Sequence, residues 1–288
     1  MVSHRGRFTW YELMTTDVAA AKAFYGKVVG WGAQDASTSE LAYTLFTAAN
    51  APVGGVMELP EDARRMGATP RWLGYVGVGD VDAAAHRVEL GGGAVYVPPT
   101  NTNIGRIAVV ADPQTATFAL VEGLKPGQRH PAEPDEPARV GWHELLAADS
   151  EQAFAFYREL FGWQKADTEP ESTDEYQLVT VGGQTIGGMF TKRPAEPIPY
   201  WLYYFNIGDI DAALERVKIG GGRIFEGPFE LRDGNWIARC IDPQGAIFAV
   251  QGKRSRDAIA RDPASEFGWS TEWSGISSRG RLITKRRG

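Results

Sequence analysis

The chain repeats itself, and no other feature constrains its fold as much. At an offset of 132 residues Trp10-Tyr11-Glu12-Leu13 returns as Trp142-His143-Glu144-Leu145, Asp17 as Asp149, Phe24-Tyr25 as Phe156-Tyr157 and Gly30-Trp31 as Gly162-Trp163, without a gap. With small insertions, Gly54-Gly55 matches Gly187-Gly188, Asp80-Val81-Asp82 matches Asp209-Ile210-Asp211, Gly91-Gly92-Gly93 matches Gly220-Gly221-Gly222, and Asp112-Pro113-Gln114 matches Asp242-Pro243-Gln244. Whatever the first half folds into, the second half therefore folds into as well. At 288 residues there is room for two ordinary domains. The expected layout is a first domain over 1–125, a linker over 126–138 stiffened by Pro126, Pro131, Pro134 and Pro137, a second domain over 139–252, and a tail over 253–288 with no counterpart in the first copy.

Each copy is itself double. Phe8 to Met14 has strand character, and Asp17 is a good N-cap for a helix whose apolar stripe is Ala21, Phe24, Tyr25, Val28 and Val29. The second copy repeats it with Ala153, Phe156, Tyr157, Leu160 and Phe161, behind Asp149 and Gln152 at capping-box spacing. Three strand-like runs follow, near 31–37, 42–48 and 53–59 in the first copy. Then Trp72 to Val78 starts another unit: Asp80 caps a helix with Val81, Ala84, Ala85 and Val88 on one face, Gly91 stops it, and three more strands follow. Ile210, Ala213, Leu214 and Val217 repeat that helix in the second copy. The predicted fold is α+β, four βαβββ units in two tandem domains. The glycine triplets follow helices rather than precede them, which makes them helix stops and not phosphate loops.

Four such units, with Trp-x-Glu-Leu-x-x-x-Asp, Phe-Tyr and Gly-Trp at each domain start and Asp-Pro-Gln before the last strand, resemble the vicinal-oxygen-chelate superfamily of glyoxalases, bleomycin-resistance proteins and extradiol dioxygenases. The resemblance covers roughly residues 6–252 and is strongest to the tandem glyoxalase-like branch. It implies that paired units curl their sheets into a cup, where a divalent metal sits on His or Glu side chains from the first and last strands. The residues at those places depart from that pattern. The first-strand position is Trp10 or Trp142, the corresponding place in the second units is Gly74 or Tyr203, and the last-strand position is Ala119 or Ala249. Glu58 alone matches a ligand position, with Thr191 as its counterpart. Three or four N, O or S ligands are needed for zinc, nickel or iron, so no metal or other cofactor is expected, and Glu58 and His143 are the fallback ligands. His143 alternates with Trp142 and Glu144 and is expected to point away from the cup.

If the cups are not chelate sites, strand alternation places Trp10, Glu12 and Met14 in the first and Trp142, Glu144 and Leu146 in the second. Trp72, Gly74 and Val76, and Trp201, Tyr203 and Phe205, are expected to face the same hollows. Aromatic walls of this kind suit planar or cationic molecules, which gives Trp10, Trp72, Trp142, Trp201, Tyr203 and Phe205 as candidate binding residues. Glu12 and Glu144 are the candidate acid-base groups. The bland reading is that these rings and acids seal the joint between paired units.

Composition bounds the rest. The single cysteine, Cys240, sits in a strand-like run and reads as a buried inert thiol, which excludes disulfides and fits a cytoplasmic setting. Net charge is −6, and residues 253–288 hold nine Lys/Arg against four Asp/Glu, so the body is more acidic still. That argues against a nucleic-acid partner, and no apolar run reaches the length of a membrane span. The basic tail carries Phe267, Trp269 and Trp273, which are expected to dock on the body, or to act as a lid. Three functions remain: a metal-independent cup that binds a small aromatic or amphipathic molecule; a metal-dependent lyase, isomerase or dioxygenase; and a scaffold whose cups are filled by its own rings. A monomer with paired domains, or a weak homodimer, is expected.

Overall fold

The computed structural model describes residues 5–124, 136–166, 176–194, 196, 198–231 and 233–254. The expected docking of the tail aromatics lies outside the described residues, as do His4, His130 and most of the linker prolines.

In the first half β1 (Phe8–Thr15), α1 (Val18–Val28), β2 (Gly32–Asp35), β3 (Thr44–Ala48) and β4 (Ala51–Glu58) form one unit. After a short α2 (Glu61–Arg65), a second unit follows as β5 (Arg71–Gly77), α3 (Val81–Leu90), β6 (Ala94–Asn101), β7 (Arg106–Ala111) and β8 (Thr117–Glu122). The second half repeats both: β9 (Val140–Ala147), α4 (Ser150–Phe161), β10 (Gln164–Lys165), β11 (Tyr176–Val181) and β12 (Gln184–Thr191), then β13 (Tyr200–Asp209), α5 (Ile210–Ile219), β14 (Arg223–Glu230), β15 (Trp236–Ile241) and β16 (Ile247–Lys253). These are the four expected βαβββ units. Among the described residues no helix is long and apolar enough to cross a membrane.

The four long helices start for one reason. Asp17, Asp80, Asp149 and Asp209 have extended backbones, and each carboxylate accepts from the amide three residues on, at 2.8–3.0 Å. Gln152 does not complete a capping box, because its side chain bonds the Asp149 carboxylate while the Asp149 amide donates to the Gln114 side chain at 2.9 Å. The stripes expected for α1, α3 and α5 are buried. On α4 the buried face is Ala153, Phe154, Tyr157 and Leu160, with Phe156 and Phe161 packed half-buried at its margin.

Within each half the two units join through their first strands into one eight-stranded sheet, ordered β2-β3-β4-β1-β5-β8-β7-β6 and β10-β11-β12-β9-β13-β16-β15-β14. The central pair β1–β5 is antiparallel, flanked by parallel β1–β4 and β5–β8 pairs, and the second sheet repeats this. One face of each sheet meets the other half in a common core that also holds the helices, while each outer face has its own apolar cluster. The two cups therefore face opposite sides of the molecule.

The repeated Phe-Tyr and Asp-Pro-Gln motifs serve this joint, and they do so across the halves. The Tyr25 hydroxyl on α1 donates to Asp242 at 3.0 Å and accepts from the Trp72 indole at 2.9 Å; Tyr157 on α4 donates to Asp112 at 3.1 Å and accepts from Trp201 at 2.9 Å. Burial raises the pKa of both aspartates, against which backbone amides and the tyrosine of each work. At the centre, Tyr11 meets its own duplicate: its hydroxyl lies 2.5 Å from His143 Nε2. His143 Nδ1 lies 2.5 Å from the Ile186 carbonyl, which can only accept, so Nδ1 carries the proton and Tyr11 donates to Nε2. The amide of Gly74 donates to the Tyr203 hydroxyl there at 2.7 Å.

Candidate functional site

Antiparallel ladders put directly opposed residues on the same face, so the register of β1 on β5 decides what lines the first cup. Trp10 pairs with Tyr75, Glu12 with Leu73 and Met14 with Arg71. On β9 and β13, Trp142 pairs with Tyr204, Glu144 with Leu202 and Leu146 with Tyr200. The positions seven and five residues before each helix-capping Asp thus face a cup in all four units. Trp10, Glu12 and Met14, and Trp142, Glu144 and Leu146, are on the cup faces.

Trp72, Trp201, Tyr203 and Phe205 are not. All four lie in the common core between the halves, and Gly74 and Val76 share their face. Gly74 and Tyr203 stand six residues before Asp80 and Asp209, whereas the cup-facing places stand seven and five before, and in a strand a slip of one residue reverses every side chain. In the core Trp72 and Trp201 hold the helix tyrosines, and Tyr203 packs edge-on against Phe8 and Tyr11.

Each cup is built on one carboxylate and two tyrosines that were not expected. In the first, Glu12 is 3% exposed and accepts from Tyr43 at 2.7 Å and from Tyr75 at 2.8 Å, while the Trp10 indole donates to the Tyr43 hydroxyl at 3.1 Å. In the second, Glu144 accepts from Tyr176 at 3.0 Å and Tyr204 at 2.6 Å, and Trp142 donates to Tyr176 at 3.2 Å. Gly55 and Gly188 make room for this: a Cβ on either would collide with the ring of Tyr43 or Tyr176.

The cups differ in one respect. On β15, Arg239 is 3% exposed and its guanidinium donates to Glu144 at 2.7 Å and to Glu226 at 2.7 Å, with Glu196 at 3.4 Å. Burial disfavours its charge, but the facing Tyr204, Glu144 and Glu226 more than offset this and hold its pKa above the usual arginine value. The ladder partner of Arg239 on β16 is Ala249, and the partner of Ala119 on β7 is Val109. Val109 therefore stands where the second cup has Arg239, Val97 where it has Glu226, and Met57 where it has Phe190. No cation among the described residues forms an ion pair with Glu12, and burial raises its pKa against the two tyrosine hydrogen bonds. Arg71, on the cup face at the rim, spends its Nε on the Thr69 carbonyl at 3.0 Å.

The fallback metal ligands do not converge. Glu58 is exposed and alternates with Met57, which puts it on the opposite side of the sheet from Glu12. His143 also points away from its cup, and Phe8 stacks on its ring at 4.3 Å. Among the described residues no group of three or more His, Cys, Asp or Glu side chains is placed to hold a metal ion. The metal site implied by the resemblance does not fit the residues present: its places hold Trp10, Leu73, Ala119 and their duplicates, Glu12 is held by two tyrosines, and in the second cup Glu144, Glu226 and Glu196 are held by Arg239. Cys240 is buried on the core side of β15, where burial pushes its thiol up to about 12.

Two tandem pairs of βαβββ units with a cup on each sheet define a vicinal-oxygen-chelate protein by architecture. A family model described as the Glyoxalase/Bleomycin resistance protein/Dioxygenase superfamily matches residues 7–120 and 139–250, and the chain belongs to that superfamily. Among curated relatives, the putative glyoxylase CFP32 of Mycobacterium tuberculosis is 31% identical over 252 residues, 85% of this chain and 94% of the relative. The anthracycline biosynthesis protein DauV of a Streptomyces species is 31% identical over 278 residues, 90% of this chain and 98% of the relative. In fold the chain is similar to the Mn(II)-bound glyoxalase of Novosphingobium aromaticivorans (TM-score 0.60, 18% identity, 87% of this chain and 83% of that one). It is also similar to the 2,3-dioxygenase LapB of Pseudomonas (TM-score 0.57, 11% identity, 86% and 92%).

Proposed function

We propose that this chain binds a small planar aromatic or amphipathic molecule without a bound metal, in a cup floored by Trp10, Tyr43, Tyr75 and Glu12. The observation that carries the reading is the replacement of the chelating positions by a Trp-Tyr-Glu-Tyr network that has a single carboxylate. Flat rings favour a flat ligand by stacking, and the carboxylate orients a polar group on it or exchanges a proton with it. A relative named for anthracycline biosynthesis supports a polycyclic aromatic ligand. The setting proposed is cytoplasmic, and the active form a monomer.

The scaffold reading has one observation in its favour, because the network satisfies its own polar groups. The two are separated by equilibrium dialysis with 2-naphthylmethanol, together with elemental analysis for Zn, Ni, Mn, Fe and Co. Saturable uptake by protein holding under about a tenth of an equivalent of metal, lost in Trp10→Ala, is the expected result. No uptake favours the scaffold. Stoichiometric metal with turnover of the methylglyoxal-glutathione adduct overturns the proposal.

A further inference from the structure

The second cup is an internal template for what the first one lacks. Both present a carboxylate nearly sealed from water and held by two tyrosine hydroxyls, one of which accepts from a tryptophan indole. In the second, a guanidinium completes the set at 2.7 Å from Glu144. In the first, the equivalent ladder position is Val109, smaller by most of an arginine side chain and uncharged. A carboxylate has about four acceptor sites, and the two tyrosines use two of those on Glu12. A buried carboxylate that faces only neutral donors among the described residues is poorly compensated by them, and a cation that arrived beside it would be strongly held.

The change is not confined to one residue. The pair Glu226–Arg239 across β14 and β15 becomes Val97–Val109 across β6 and β7, and Phe190 becomes Met57. Val109, with Met14 and Met57 packed against the same cluster, keeps this face apolar and adaptable, and Val97 is exposed, where the second cup is charged and internally tied. Aromatic faces at Trp10, Tyr43 and Tyr75 add attraction for a cation.

We infer that only the first cup is a ligand site, and that its ligand is an apolar or aromatic molecule bearing a protonated amine, whose ammonium occupies the place that Arg239 fills in the second cup. This rests on the binding function proposed above and narrows it to one cup and one ligand charge. Arg71 at the rim lies two ladder pairs from Glu12's level on the strand, Met14 being its partner, and leaves the floor to the carboxylate.

The test compares 2-naphthylmethylamine hydrochloride with its neutral isostere 2-naphthylmethanol by equilibrium dialysis at neutral pH, on wild type, Glu12→Gln and Val109→Arg. The expected result is one amine per chain, bound about tenfold or more tighter than the alcohol, as one charge-assisted hydrogen bond warrants. Glu12→Gln should bring the amine down to the affinity of the alcohol, and Val109→Arg, which copies the second cup, should abolish uptake of both. Equal affinities for amine and alcohol overturn the inference and leave the binding function standing. Two equivalents per chain overturn the restriction to the first cup, and uptake of neither probe removes both readings. Should Val109→Arg fail to fold, the isosteric Glu12→Gln still decides on ligand charge.

Discussion

The two cups predict that one substitution made at equivalent places has opposite effects. Glu144→Gln removes the charge that faces Arg239, itself 4% exposed in its side chain, and turns one amide donor toward groups that are donors already. Hydrogen bonds to charged groups contribute about 1.5–3 kcal/mol, and breaking a buried pair costs about 3–5 kcal/mol. Because Arg239 keeps Glu226 and Glu196, the lower part of that range applies, roughly 3 kcal/mol. In a chain of this size that is a fall in Tm of roughly 6 °C. Glu12→Gln removes a buried carboxylate that no described cation compensates. A carboxyl whose pKa is raised on folding binds its proton more tightly in the folded state, so stability is greatest below the unfolded value of about 4.5 and falls as pH rises toward the folded value. Glutamine has no proton to lose. The variant should lie within about 1 kcal/mol of wild type at pH 5 and gain on it as pH rises to 8. Thermal melts of wild type and both variants at pH 5, 6.5 and 8 measure this. If Glu12→Gln costs as much as Glu144→Gln at pH 8, or its difference from wild type is flat with pH, the electrostatic distinction between the cups is wrong.

Two further outcomes follow from the joint between the halves. Burial lowers the pKa of His143 to about 4, so its contribution is whole above pH 6.5 and is lost as pH falls through 4, an acid limb of roughly 3 kcal/mol. That limb should flatten in His143→Gln, and a limb of unchanged depth in urea titrations would place the charge change elsewhere. Tyr25→Phe and Tyr157→Phe each strand a buried indole N–H and one buried carboxylate oxygen, so each should cost about 2–3 kcal/mol by denaturant unfolding; losses under about 0.5 kcal/mol would mean that these bonds do not hold the halves together.

The fold was legible because duplication showed every signal twice. Four Asp caps at the heads of four apolar stripes, and turn residues at matching places, leave little freedom for element order, and β1 to β16 follow it. The site was half legible. Alternation from Trp10 and from Trp142 reaches Glu12 and Glu144, but the expectation for Trp72 and Trp201 falls on the wrong face, since periodicity fixes which residues share a face and not which face is the cup. The register of β5 on β1 settles that, and register depends on partners far away in sequence. Tyr43 and Tyr75 were missed although the repeat marks them, as Tyr176 and Tyr204 stand at the matching places. Arg239 carried its own signal, a lone charge in the apolar run Trp236–Ile241.

Duplication explains how such a difference could arise within one chain. Because each half supplies the floor against which the helices of the other pack, neither cup can be discarded without losing the joint made by Tyr25, Asp242, Tyr157 and Asp112. The joint uses one face of each sheet and the cups the other, so residues on a cup face can change while the joint stays as it is. Val109 and Arg239 lie on that freer face, each between core residues that face the joint, Ala108 and Val110 in one half, Ala238 and Cys240 in the other. An arginine at this place satisfies the buried acid from within and makes the cup part of the scaffold. A valine leaves the acid with its two tyrosines, and under the proposed binding function that exchange, more than the aromatic floor the two cups share, sets the charge of the ligand.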